Sequence, residues 1–412
     1  MNEENTNSKN LFMIIENIKI KNFKAFKHIE MSHIPRFCVI VGVNGSGKST
    51  LFDIFGFLKD AMTDNVTVAL NKRGGYKEIV NRNCSKPIEI DIKFREKTNT
   101  PLITYHLEIA FESGQSIINR KILKYRRGSK GLPYHFLDFS NGKGTAVTNE
   151  LYYKGESKDL QREEQTLSRN DILAIKGLAQ FKKFPAAIFG DLIERWYVSD
   201  FHINQARNIH DAGYAEHLSK EGDNLSLVTQ FMYEQHPDIF KSILKKMKDR
   251  VPGISSVEAK LTDEGRALLK FQDGSFKDPF LARYVSGGTI KMFAYFILLN
   301  DPKPHPLLCI EEPENQLYPK LLTELVEELR DYSNRGGQVF VSTHSPEFLN
   351  AVEIEEVFWL VKKDGYSTIK RAKDDETISN LMAEGDKIGY LWEQGFFEGA
   401  TIKNGIKKLL AN

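Results

Sequence analysis

The sequence predicts an α/β fold: a parallel, nucleotide-binding sheet that carries a block of antiparallel strands and a helical insertion. Three observations lead there. Short apolar runs alternate with amphipathic helical segments near the start and again after residue 283, the pattern of a parallel sheet. Between residues 85 and 155, stretches of period-two alternation follow one another across turns, as in antiparallel strands. Between them, at 37–51, an apolar run passes through a glycine-rich turn into a helical pattern.

Taken in order, residues 1–12 are polar and Asn-rich at their start, without an apolar signal core, and read as a disordered tail. Residues 14–20 alternate, with Ile14, Glu16, Ile18 and Ile20 on one face, and read as a strand. Asn22, Phe23 and Lys24 turn the chain into a second strand ending near Ile34. The third strand, 37–41, ends in Gly42. Gly42, Gly47, Lys48 and Ser49 then meet the pattern G-x-x-x-x-G-K-[ST], with Gly45 as an extra glycine. Glycines let successive backbone N–H groups curl around phosphate oxygens, and the following helix turns its positive end on the same anion. Lys48 adds a point charge and Ser49 a hydroxyl for Mg²⁺. An accidental glycine-rich turn is the bland alternative, and the strand before and helix after it argue against that. The helix runs from Ser49 to about Met62, with Leu51, Ile54, Phe55 and Leu58 on one face.

A turn at 73–76 precedes a predicted hairpin, 88–94 with 102–111, and further strands at 116–125 and 134–139. Arg120, Lys121, Lys124, Arg126, Arg127 and Lys130 cluster here. Such a cluster either contacts a phosphate backbone or is a hairpin edge kept soluble by charge; Tyr125 is the lone aromatic among them, which favours the edge. Residues 160–195 and 225–250 read as helical, without a sustained heptad, so no long coiled coil is expected. Residues 257–271 alternate. The last third reads helix 288–299, strand 306–310, helix 319–332, strand 338–342, helix 346–351 and strand 356–361. The first strands and these last ones are expected to share one sheet. The expected units are 13–155 (phosphate-loop lobe with antiparallel subdomain), 156–255 (helical insertion), 256–372 (second lobe) and 373–412 (extension).

The composition of the 412 residues, 41% hydrophobic and 27% charged, is that of an ordinary globular protein. A net charge of +2 excludes a globally basic nucleic-acid binder and leaves room for a local patch only. Cys38, Cys84 and Cys309 lie far apart and read as small hydrophobes in a reducing compartment. No apolar run has the roughly 18–20 residues needed to span a bilayer, so a cytoplasmic protein with no membrane partner is expected.

Three later segments bear on the nucleotide. An apolar strand ends in Glu311-Glu312-Pro313-Glu314, which positions Glu311 to hold Mg²⁺ or its water shell and Glu312 to polarise an attacking water. Ser286-Gly287-Gly288 opens a helix, either a second anion site or a plain N-cap. His344 follows another apolar strand, within reach of a γ-phosphate or merely structural.

With these motifs in this order, and with Ile20 to Lys27 as an opening strand pair, the chain resembles the ABC-type ATPases of the RecF/SMC/OLD-like group, over most of its length. It is most similar to bacterial "AAA family ATPase" proteins without transmembrane partners. The resemblance implies an ABC-type P-loop ATPase head using ATP and Mg²⁺. Asn44, Gly45, Ser46, Gly47, Lys48, Ser49 and Thr50 would wrap the phosphates, Ser49 and Glu311 would serve the metal, Glu312 would be general base and His344 the γ-phosphate switch. Ser286, Gly287 and Gly288 would contact ATP held by another subunit, which implies a homodimer or higher even oligomer closed around ATP. Tyr318 stands where the group usually has a histidine, and residues 73–75 and 196–200 are both candidates for its Mg²⁺-sensing loop. The expected role is a slow ATPase that regulates a separate nuclease or toxin effector in anti-phage defence. The alternatives are a RecF-like repair ATPase on duplex DNA and, disfavoured by some 235 residues between Thr50 and Ser286, a transporter subunit.

Overall fold

The computed structural model describes residues 13–82, 84–95, 100–125, 133–147, 162–178, 185–211 and 213–399. Strands β1 (Ile14–Phe23) and β2 (Phe26–Met31) form a hairpin. A bulge between Ile15 and Asn17 shifts the alternation. Ile15, rather than Ile14, is therefore buried beside Ile18 and Ile20, because one extra residue reverses the side-chain phase.

Strand β3 (Phe37–Val41) is buried throughout and leads into α1 (Lys48–Thr63). The helix is buried on more than the one face expected, because a sheet lies on each side of it. Phe57 packs on Phe23 of the hairpin (ring centroids 6.2 Å apart) and Phe55 on Phe340 of the other sheet (4.9 Å). Two short helices, α2 (Val66–Asn71) and α3 (Tyr76–Ile79), flank the turn at 72–75.

Strands β4 (Ile88–Arg95), β5 (Ile103–Glu112), β6 (Gln115–Tyr125), β7 (Tyr134–Ser140), β8 (Lys143–Val147) and β9 (Arg162–Thr166) follow. They complete an eight-stranded sheet of order β2-β1-β4-β5-β6-β7-β8-β9. The basic cluster is not a hairpin edge: β6 is interior, paired on both sides. Arg120 faces Asp138 at 3.4 Å, while Lys121 is buried and donates from Nζ to Ile172 O at 2.7 Å. Arg126, Arg127 and Lys130 lie outside the described residues.

The stretch expected to be helical from 160 begins instead with the edge strand β9. It continues through α4 (Ala174–Leu178) and α5 (Pro185–Glu194) to β10 (Tyr197–Val198). After α6 (Ile203–Ala206) and β11 (His210–Asp211), the expected helix at 225–250 is two. They are α7 (Leu225–Gln235) and α8 (Pro237–Arg250). Pro237 breaks the run because it lacks an N–H and suits a helix's first turn. Strands β12 (Ile254–Leu261), β13 (Arg266–Asp273) and β14 (Phe280–Leu281) form, with β11, a small antiparallel sheet.

The final third runs α9 (Gly287–Leu299), β15 (Leu307–Glu311), α10 (Pro319–Asn334), β16 (Gln338–Thr343), α11 (Pro346–Leu349), β17 (Val357–Lys363) and β18 (Tyr366–Arg371). The acidic stretch near 374–386 holds α12 (Glu376–Ala383), capped by the Asp375 side chain; α13 (Ile388–Glu393) follows. The second large sheet has order β10-β15-β16-β3-β17-β18 and is parallel except for β18. Of the first three strands only β3 joins it; β1 and β2 belong to the antiparallel sheet, which corrects the expectation of a common one. Its two faces divide the cores. Cys38, Ile40, Cys309 and Phe340 face α1 and the antiparallel sheet, while Val39, Val41, Leu308 and Val341 face α9 and α10. Among the described residues the longest helices have 16 residues, so there is no long coiled coil. No described helix is long and apolar enough to cross a membrane.

Candidate nucleotide site

The parallel strands β3, β15 and β16 end on one side of the sheet, and the sequence-predicted residues stand at those ends. The loop after β3 turns on Gly45 and Gly47, with φ of 76° and 108°, a region only glycine enters freely. Gly45 and Asn44 are exposed on its outer arc, Ser46 is buried, and the Ser46 N–H donates to Val43 O at 3.0 Å. At the start of α1, Lys48 is 6% exposed and donates from Nζ to Gly42 O at 2.8 Å. It also lies 3.8 Å from Glu312 Oε1. Burial pulls the Lys48 ammonium below its usual pKa, and the carboxylates Glu312, Glu314 and Glu311 oppose that fall. Thr50 is half-buried behind it.

Ser49 Oγ donates to Glu311 Oε2 at 2.6 Å across the gap between α1 and β15. Burial raises the Glu311 pKa, the Ser49 hydrogen bond opposes this, and the neighbouring Asp200 and Glu312 carboxylates add to it. A hydroxyl and a carboxylate in contact, with the Asp200 and Glu312 carboxylates close by, are a donor set that fits a hard divalent cation such as Mg²⁺.

One residue on, Glu312 has φ of 44°, unusual for a residue with a side chain. Its N–H is tied to Ser342 O of β16 at 2.9 Å. The carboxylate stands 3.4 Å from His344 Nδ1 and accepts from Asn315 Nδ2 at 3.3 Å. His344 is 42% exposed. Glu314 organises the loop that bears it: its Oε1 accepts from Thr343 Oγ1 at 2.7 Å and from the His344 N–H at 2.9 Å.

Ser286 caps α9, its Oγ accepting from the Thr289 N–H at 3.2 Å. A Cβ on Gly287 would meet Gln316 Oε1 at 2.5 Å, and one on Gly288 the Gln316 carbonyl at 2.9 Å. This turn thus packs on the chain after β15, and none of the described hydrogen bonds joins it to the phosphate loop. Lys291 of α9 ties the helix to the acidic segment after β15, donating to Asn315 O at 2.9 Å and Glu312 O at 3.4 Å. Burial lowers its pKa to about 8.

Sequence reasoning missed Lys291 and the part taken by Glu314, and held Asp200 only as the end of a candidate metal-sensing stretch. The Ser199 N–H donates to Cys309 O at 2.8 Å, hooking the chain after β10 onto β15. Asp200 then lines a cavity of about 420 Å³ together with Ser49, Lys291, Glu311, Glu312 and Gln316. Of the two stretches considered for a metal-sensing loop, 196–200 is the one beside Glu311. Arg73 is held by Asp53 and Asp60 of α1, at 2.6 and 2.7 Å.

A phosphate-loop strand set between an acid-bearing strand's neighbour and β17, with an antiparallel sheet against its helix, defines a P-loop ATPase of the ABC head type. The chain belongs to the family described as "AAA domain, putative AbiEii toxin, Type IV TA system", whose model matches residues 37–350. Among solved structures it is similar to the Smc head bound to the C-winged helix domain of ScpA, at 15% identity and a TM-score of 0.51. That match covers 86% of this chain and 96% of the other. It is also similar to the Smc head domain with an extended coiled coil, bound to the C-terminal domain of ScpA, derived from Pyrococcus furiosus. There the identity is 14%, the TM-score 0.50, and the match covers 90% and 99% of the two chains. At such identities the likeness is one of fold. No curated protein matches the chain.

Proposed function

We propose that this protein binds ATP with Mg²⁺, hydrolyses it slowly, and acts as a cytoplasmic regulator of a separate effector in anti-phage defence. The observation that carries the ATPase reading is the convergence on Glu312. Lys48 and His344 approach its carboxylate from two other strand ends, and Ser49 meets Glu311 one residue before it. Asn44 to Thr50 would hold the phosphates, Ser49 and Glu311 the Mg²⁺, Glu312 the attacking water and His344 the γ-phosphate. When bound, Mg²⁺ would neutralise charge on the phosphate oxygens. The Ser286–Gly288 turn, set apart from its own phosphate loop, is suited to close on ATP held by a second copy. The toxin system in the family's description supports a toxin as the effector.

Replacing Glu312 by Gln tests the mechanism. ATP binding, read by equilibrium titration, should persist while turnover slows by roughly 10²–10⁴-fold. Turnover equal to that of the unaltered protein removes Glu312 from the chemistry.

A further inference from the structure

At the other end of β15, remote from the phosphate loop, three side chains from two segments converge: His217, before α7, and Asp301 and His305 of the loop between α9 and β15. One donor atom from each lies within 4.8 Å of the others. At a strand rise of about 3.3 Å per residue, His305 is roughly 20 Å from Glu311. Both nevertheless line one cleft of about 1280 Å³.

The state of His305 is the telling observation. It is 9% exposed, and its Nδ1 faces Arg195 O at 2.9 Å. A carbonyl can only accept, so Nδ1 carries the proton and Nε2 presents a lone pair. Nε2 is buried and has no hydrogen-bond partner. A buried imidazole nitrogen without a partner is costly, and an imidazole oriented by a carbonyl behind it is the usual arrangement of a metal-ligating histidine. Asp301, its side chain 4% exposed, is engaged by His217 Nδ1 at 2.6 Å, and His217 leads out to solvent at 41% exposure. Glu216, nearby, is paired with Lys303 Nζ at 2.7 Å.

We propose that His217, Asp301 and His305 bind a transition-metal dication of the Zn²⁺ class. Two imidazoles and one carboxylate suit that class rather than Mg²⁺ or Ca²⁺, and three protein ligands leave a fourth position for water. The ion clamps the segment before α7 to the loop between α9 and β15, beside the Arg195 carbonyl that precedes β10. It thereby steadies the short strand that leads to Asp200.

The test uses the full chain, stripped with a chelator and titrated with Co²⁺ and Zn²⁺ without nucleotide. One Co²⁺ per chain should bind and give the intense visible d–d absorption of a four-coordinate site, and one Zn²⁺ should displace it and raise Tm. His217→Ala, at a half-exposed position, and Asp301→Asn should each weaken binding by on the order of tenfold or more. Glu311→Gln should leave the cobalt spectrum unchanged. Absence of stoichiometric binding, binding unaltered in both ligand variants, or loss of the signal in Glu311→Gln overturns the proposal.

Discussion

Glu314→Gln isolates what holds His344 in place. The carboxylate oxygen that accepts from both Thr343 Oγ1 and the His344 N–H is only 9% exposed as a side chain. Hydrogen bonds to a charged acceptor contribute about 1.5–3 kcal/mol and neutral ones about 0.5–1.5, so an isosteric amide forfeits about 1–1.5 per bond, or about 2–3 kcal/mol for the two. An unfolding entropy of about 2.1 cal/mol/K per residue amounts to roughly 0.9 kcal/mol/K for 412 residues, which converts the loss to a Tm drop of about 2–4 °C. If the same loss is expressed in the transition state, ATP turnover falls by up to about 10²-fold. ATP affinity changes little, because Lys48 and the loop amides are not bonded to Glu314. Differential scanning calorimetry and a phosphate-release assay read the two effects. Unchanged Tm together with turnover within twofold of the unaltered protein would refute the reasoning.

The remaining predictions concern the Ser286–Gly288 turn and a buried lysine. Gly288→Ala drives a Cβ onto a backbone carbonyl and should cost about 1–3 kcal/mol with reduced turnover. Gly287→Ala meets side-chain ends alone, Gln316 Oε1 at 2.5 Å and Ile203 Cδ1 at 3.3 Å, and should be better tolerated; equal damage from both, by Tm and phosphate release, contradicts the packing described. Lys121 has its folded pKa lowered to about 8 from 10.5 by burial. The unfolded chain binds more protons between those values, so stability should rise by about 3 kcal/mol as pH rises from 8 to 10.5 and be lost again on the way down. Lys121→Met should remove the Lys121 share of the slope in urea-unfolding midpoints and leave the share of Lys291, whose pKa is lowered to the same range; a slope undiminished in the variant refutes the assignment.

Legibility in the sequence followed how local each signal was. The phosphate loop and the acid-bearing strand are contiguous patterns, and a run such as Phe37–Val41 declares a buried strand by itself. Strand β10 has two residues and no periodicity to read; it exists because β15 offers an edge. The sheet to which β1 belongs depends on the distant β4, and a single bulge after Ile15 inverted its first side chains. Glu314 looked like one more acid after Glu312, since only the return of β16 brings Thr343 and His344 to it. Lys291 hid within an apolar helix for the same reason.

The place of β3 between β16 and β17 has a consequence for biosynthesis. Its neighbours emerge from the ribosome about 300 residues after it does, which at about 5–20 residues per second is a delay of roughly 15–60 s. Until then Phe37–Val41 is an apolar strand with both edges unpaired, the kind of segment that seeks foreign partners. The nascent chain can fold its antiparallel sheet early, but no ATP can be gripped before the last third is made. A chaperone that shields β3 during this interval would raise the yield of native protein more than one acting on the finished chain.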